Sequence, residues 1–201
     1  MPTFPKPLAK YLAKAKLKHQ PIEHRKVFTA YDTAMTMRLP LEQVAKNVVV
    51  KAGNVLHLLV VPAHHQIDFK AVAKQLGIGA NKVKIVTEQA IAKATGLAKG
   101  KGLSSFGSMY KLPVLVEKDL LKAKEVLFAA GTFTHSVKAR VKDFVDLEQA
   151  KVASFGKVNK PLLAYSRKLM AKVAKAAKAA AAKRHKRPAK RRPKARPKSK
   201  R

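Results

Sequence analysis

The stretch "NVVVKAGNVLHLLVVPA", residues 47–63, constrains the fold more than any other part of the chain. Two β-branched, almost wholly apolar runs flank Ala52-Gly53-Asn54, and that pairing of strand composition with turn residues predicts a hairpin. A strand with one face in water alternates apolar and polar residues. These runs do not alternate, so the hairpin belongs in the centre of a sheet covered on both sides.

The surrounding segments supply helices to cover it. "LAKYLAKAKLKH" follows Pro5 and Pro7 with Leu8, Leu12 and Ala15 at helical spacing, which predicts a short amphipathic helix with proline at its start. "QPIEHRKV" reads as extended. "YDTAMTMRLPLEQVAK" reads as a helix begun at Asp32 or Thr33, broken at Pro40 and resumed for one turn. Asp68 caps and Gly77 ends a helix over "IDFKAVAKQLGI", and Thr87 and Gly96 do the same for "TEQAIAKATG". "KVKIV", "LPVLVE", "EVLFAAG" and "THSVKARV" read as strands, and "VKDFVDLEQA" as a last helix. Hairpins mixed with crossovers predict a single compact α/β domain, with a mixed, partly closed β-sheet surrounded by helices.

Charge divides the chain. Of 44 Lys and Arg residues, 24 lie at or before Glu148 with all 11 acids, giving that part +13, while the remaining residues carry +20 with no acid. We therefore expect a domain over residues 1–155 and a basic Lys/Ala/Pro-rich tail over 156–201. The alanine block of that tail has helical spacing but little that is apolar enough to pack, and the proline-interrupted end reads as disordered. Twenty positive charges without an acid attract RNA or DNA without reading sequence. The start of the chain lacks a signal-peptide core and no run reaches the ~20 apolar residues of a membrane span, so the expected location is cytoplasmic, with no membrane partner.

Several chemistries lack their residues. There is no cysteine, hence no disulfide, thiol nucleophile or thiolate metal site. His64 and His65 are adjacent and are expected to point apart, and no HExxH or HxH pairing occurs among the 7 histidines, so neither metal nor cofactor is expected. Neither a GxSxG elbow nor a Walker loop is present. One loop stands out: "KGKGLSSFGS", residues 99–108, places glycines around Ser104, Ser105 and Phe106 in a chain with only 9 glycines. Such a loop reads either as a flexible turn or as backbone shaped to approach a ligand closely.

Three segments together resemble the YbaK/ProX family of aminoacyl-tRNA deacylases and the related editing domain of bacterial prolyl-tRNA synthetases. These are "LPLEQVAKNVVVKAGNVLHLLVVPAHHQIDFKAVAKQLG", "GKGLSSFGS" and "LPVLVEKDLLKAKEVLFAAGTFTHSVKARVKDFVDL". The resemblance runs from about residue 20 to 150. It implies hydrolysis of the ester of a tRNA carrying the wrong small amino acid, without metal, and association with a prolyl-tRNA synthetase. The family's lysine falls on Lys46, and its next polar position on Asn47. Its glycine loop falls on Gly102, Ser104, Ser105, Phe106 and Gly107, with Ser105 in place of a proline, so the loop is less rigid here. Its late glycine, beside a backbone N–H that faces the substrate carbonyl, falls on Gly131. Thr132 and His135 follow as substrate contacts, with His135 and Ser136 where members vary. Lys46 and Gly131 are thus the expected catalytic positions. Without the resemblance, Lys46 reads as a lysine with its stem buried along a strand. The alternative from another class is a non-catalytic nucleic-acid-binding protein that keeps the domain as a scaffold for its tail.

Overall fold

A computed structural model describes residues 4–98 and 101–185. The chain opens with α1 (Lys6–Lys14), which buries Leu8 and Leu12, and β1 (His19–Glu23). Thr29 caps α2 (Ala30–Met37) by accepting from the Asp32 N–H, and a single 3-10 turn at Leu41–Gln43 follows Pro40. The central hairpin is β2 (Ala45–Ala52) and β3 (Val55–Pro62), turned at Gly53 with φ +62°, where glycine pays no Cβ penalty. Then come β4 (His65–Ile67), α3 (Phe69–Leu76), β5 (Val83–Ile85) and α4 (Glu88–Thr95). The cap and stop residues expected for α3 and α4 are in place: Asp68 and Thr87 accept from the first-turn N–H groups, and Gly77 and Gly96 are left-handed. The second half adds β6 (Val114–Glu117), β7 (Glu125–Ala129), β8 (His135–Arg140) and α5 (Val141–Glu148). It ends with β9 (Lys151–Ala153), β10 (Gly156–Val158) and α6 (Lys160–His185).

The hairpin is central, as its composition demands. The main sheet runs β5-β2-β3-β6-β9, antiparallel on the β5 side and parallel through β6 and β9. It is mixed but does not close on itself: β5 and β9 are its edges. A second sheet, β1-β8-β7, meets it through one bridge from Val44 to Leu127, and β4 pairs with β10 apart from both. One face of the main sheet packs on α1, α5 and the aromatic trio Phe106, Phe128 and Phe144, all fully buried, with Phe128 and Phe144 stacked 4.2 Å apart. The other face, including Leu59, Val61 and Leu115, packs on Val72 and Ala73 of α3.

Residue 155 falls between β9 and β10, and the chain goes on packing beyond it. Leu162 joins the cluster formed by Ala34, Leu41, Val44, Ala63 and Leu127, Ser166 is buried, and Arg167 pairs with Glu42 at 2.7 Å. Leu162, Leu163, Ser166, Leu169, Met170 and Val173 lie along one face of α6, while Lys168, Lys172 and Lys175 are exposed. The apolar residues missing from the alanine block are present just before it, so α6 is amphipathic at its base. The basic sequence from 186 to 201, expected to be disordered, lies outside the described residues. Among the described residues no helix is long and apolar enough to cross a membrane.

Candidate active site

Where the two larger sheets meet, they leave a cavity of about 930 Å3. Its floor is the start of β2, with Lys46 and Asn47. Its walls are α2 and α4, the loop at Lys101–Leu103, and the turn from β7 to β8 with Thr132, Phe133 and His135. Lys46 is half-buried, and its ammonium donates to the backbone carbonyl of His65. Burial pushes the Lys46 ammonium below the ordinary lysine pKa.

The two serines of the glycine loop face into the protein. Ser105 Oγ donates to Asn47 Oδ1 at 2.9 Å and accepts from the Ala129 N–H at 3.0 Å, while Asn47 Nδ2 donates to the Leu103 carbonyl at 3.1 Å. Ser104 Oγ donates to the Ala129 carbonyl at 3.2 Å and accepts from the Phe106 N–H at 3.3 Å. The loop is thereby tied to β2 and β7 at once. Gly131 adopts φ +83°, where a side chain is strained.

The expected site residues separate into two groups. Lys46, Asn47, Gly102, Thr132 and His135 line the cavity together, with Gly131 packed against Gly102 behind the wall. Ser104 and Ser105 are buried supports of that wall. Phe106 and Gly107 belong to the core: Phe106 is fully buried against Tyr11, Phe128 and Phe144, and Gly107 packs on Val114 and Leu58. His135 is 3% exposed, and its Nδ1 lies 3.0 Å from Thr134 Oγ1 and 3.3 Å from Thr132 Oγ1.

Several cavity residues were missed by sequence reasoning. His24 reaches the wall because β1 pairs with β8, and its Nε2 lies 2.9 Å from Ser136 Oγ. Phe28, 68% exposed, sits 5.0 Å from Phe133 at the cavity, with the Lys26 ammonium 5.2 Å above its ring. Only the register of two distant segments creates these pairs. His64 and His65 also depart from expectation. His64 ends the turn and His65 opens β4, so strand alternation does not separate them, and their rings meet edge to face 4.5 Å apart. Burial lowers the pKa of both imidazoles.

The chain belongs to the aminoacyl-tRNA editing domain family, whose model matches residues 24–147. That span contains every residue of the cavity described above. No curated protein matches the chain in sequence. Among solved structures, a protein described provisionally as a trans-editing enzyme for prolyl tRNA synthetase is similar at 23% identity and TM-score 0.66, over 77% of this chain and 99% of that one. A hypothetical protein is similar at 15% identity and TM-score 0.68, over 76% and 100%. A scaffold protein designed to present grafted epitopes is similar at 24% identity and TM-score 0.66, over 78% and 99%. At these identities the likeness establishes the fold.

Proposed function

We propose that the protein is a cytoplasmic trans-editing deacylase, which hydrolyses the ester of a tRNA mischarged with a small amino acid. The observation that carries this reading is the meeting of Lys46 and Asn47 with the Gly102 backbone and Thr132 in one cavity of an editing-family domain. An aminoacyl ester is already activated, so the protein has to position it and stabilise the developing oxyanion. A half-buried ammonium and preorganised backbone N–H groups do this in a site partly shielded from water. Among the described residues the Thr132 N–H group donates no hydrogen bond within the chain. A Cβ on Gly102 would stand 3.8 Å from the Thr132 nitrogen. The absence of a side chain at 102 therefore leaves that donor uncovered.

In this reading the ester is cleaved without a metal ion at the cavity. The basic face of α6 and the residues beyond it supply affinity for the tRNA backbone through counterion release. The synthetase named for one structural neighbour makes mischarged tRNA for proline, and prolyl-tRNA synthetase itself, the first substrate and partner to test.

The experiment is a panel of mischarged tRNAs with release of free amino acid as the readout. A size-limited pocket discriminates one methylene by only about 1–3 kcal/mol. Alanyl, seryl and cysteinyl esters should therefore show graded rates, and phenylalanyl esters almost none. No release from any ester, with tRNA still bound, favours the scaffold reading, in which the tail does the binding.

A further inference from the structure

The buried polar atoms left without a partner among the described side chains are Glu42 Oε2, His64 Nδ1 and both ring nitrogens of His65. All of them belong to residues lining one second cavity of about 500 Å3, between the β3–β4 turn, the segment after β6 and the base of α6. Buried polar groups are nearly always satisfied, so four orphans around one space call for polar partners that the chain itself does not supply. His65 is the sharpest case: it is 1% exposed and has no partner on either nitrogen.

We propose that a divalent transition-metal ion, zinc by preference, binds at the edge of this cavity, held by His65 and Asp119, which line it, and by the buried Glu117 behind them. One ligand atom from each of the three lies within 4.8 Å of the others. His65 Nε2 and Asp119 Oδ2 are 3.6 Å apart, long for a hydrogen bond but close to the roughly 3.4 Å that separates two ligands of one tetrahedral zinc. The surrounding contacts hold the three side chains in place. Lys122 occupies Asp119 Oδ1 at 2.7 Å and leaves Oδ2 free to bind. Glu117 Oε2 accepts from the Phe155 and Gly156 N–H groups at 2.7 and 2.5 Å, which fixes the carboxylate. Gly156 lacks a side chain where one is forbidden: a Cβ there would lie 2.5 Å from His65 Nδ1 and 3.1 Å from Glu117 Oε2. An imidazole with two carboxylates selects a cation over an anion. The cavity's other basic side chain, Arg167, is already paired with Glu42.

The ion would clamp three segments that sequence keeps far apart: the β3–β4 turn, the residues after β6 and, through Glu117, the β9–β10 turn. The first of these carries the His65 carbonyl that holds Lys46. The site therefore stands behind the proposed catalytic lysine as a support, outside the active cavity.

Zinc binding to the full-length chain, stripped of metal, tests this without reference to deacylation. Competition against a chromophoric chelator should give one zinc per chain at micromolar affinity or tighter, with a zinc-dependent rise in Tm. Asp119→Asn, at a partly exposed position, should weaken binding by at least about 10-fold and remove most of the Tm rise. His65→Gln should do the same, and if it fails to fold, Asp119→Asn and Glu117→Gln decide. The proposal is overturned if the wild type binds no zinc at micromolar concentrations. It is equally overturned if the affinity is unchanged by Asp119→Asn and Glu117→Gln, which would place the metal on other histidines.

Discussion

Ser105 and Asn47 hold one another beneath the larger cavity: the serine hydroxyl donates to Asn47 Oδ1 at 2.9 Å and accepts from the Ala129 N–H at 3.0 Å. One side chain from the glycine loop thus ties β2 to β7. The adjacent Asn47 Nδ2 returns a bond to the Leu103 carbonyl. With serine in place of the proline expected at this position of the loop, the hydrogen-bond network is what holds the backbone here.

Ser105→Ala should therefore do more than remove a hydroxyl. It leaves Asn47 Oδ1 and the Ala129 N–H underserved in a buried setting, at a cost of about 1–3 kcal/mol. Urea unfolding should show a lower midpoint with an unchanged m-value, and single-turnover deacylation should fall by about 10-fold as the loop loosens. An unchanged midpoint would mean the network contributes nothing to the loop.

The two glycines of the loop have different jobs, and alanine separates them. At Gly102 a Cβ meets nothing closer than 3.7 Å, so Gly102→Ala should fold normally. It should nonetheless lower the chemical rate by about 10- to 100-fold, because the new methyl group covers the Thr132 N–H. At Gly107 a Cβ would sit 2.5 Å from Val114 Cγ2 and 2.8 Å from the Leu112 carbonyl. Gly107→Ala should cost about 1–3 kcal/mol or more of stability through overpacking. Thermal unfolding beside single-turnover assays distinguishes the two outcomes, and equal Tm losses would refute the division.

Lys46 carries the strongest catalytic expectation. Its ammonium is half-buried and anchored to the His65 carbonyl, and the residue lines the same cavity as Thr132. Lys46→Ala should reduce single-turnover deacylation by about 10²–10³-fold with tRNA affinity nearly unchanged, since the charge meets the transition state more than the bound substrate. A folded variant with wild-type turnover would remove Lys46 from the chemistry.

Local chemistry made most of the fold legible. The apolar runs around Gly53, the caps at Asp68 and Thr87 and the stops at Gly77 and Gly96 each act within a few residues, so composition and spacing reveal them. The short strands β4, β9 and β10 escaped because no β-branched apolar run like that of "KVKIV" marks them; pairing, not propensity, makes them strands. The base of α6 was hidden by the alanine block after it, although Leu162, Leu163 and Met170 were there to be read. At the cavity, Lys46 and Gly102 were singled out through the family's pattern, and Gly131 stands behind its wall. His24, Ser136 and the Phe28–Phe133 pair required the β1–β8 register, and Phe106 needed the position of Phe128 and Phe144 to be assigned to the core. The second cavity is wholly non-local: no spacing rule joins His65 to Glu117 and Asp119.

The final prediction concerns a contact that closes the core beneath the glycine loop. Tyr11 of α1 donates to Glu148 Oε1 of α5 at 2.7 Å, and the other carboxylate oxygen accepts from the Ser108 N–H at 2.8 Å. Burial, then the bond to Glu148 and its charge, push the Tyr11 phenol from its ordinary value of 10.0 up to about 12. Between those two values the unfolded chain gives up the Tyr11 proton while the folded chain keeps it. The folded state binds more protons there, so stability from this contact is fully present below about pH 10 and is lost as pH rises toward 12. Because Tyr11 is only partly buried, solvent screening reduces the loss to about 1 kcal/mol. Many lysines titrate in the same range, so the informative quantity is the difference between wild type and Tyr11→Phe. Denaturant unfolding should find the wild type more stable by a constant amount from pH 7 to about 10, with the gap narrowing above that as the phenol ionises. A gap that stays constant up to pH 12 would show that the folded protein does not hold this proton, and a gap absent at pH 7 would show that the Tyr11–Glu148 contact does not stabilise the fold.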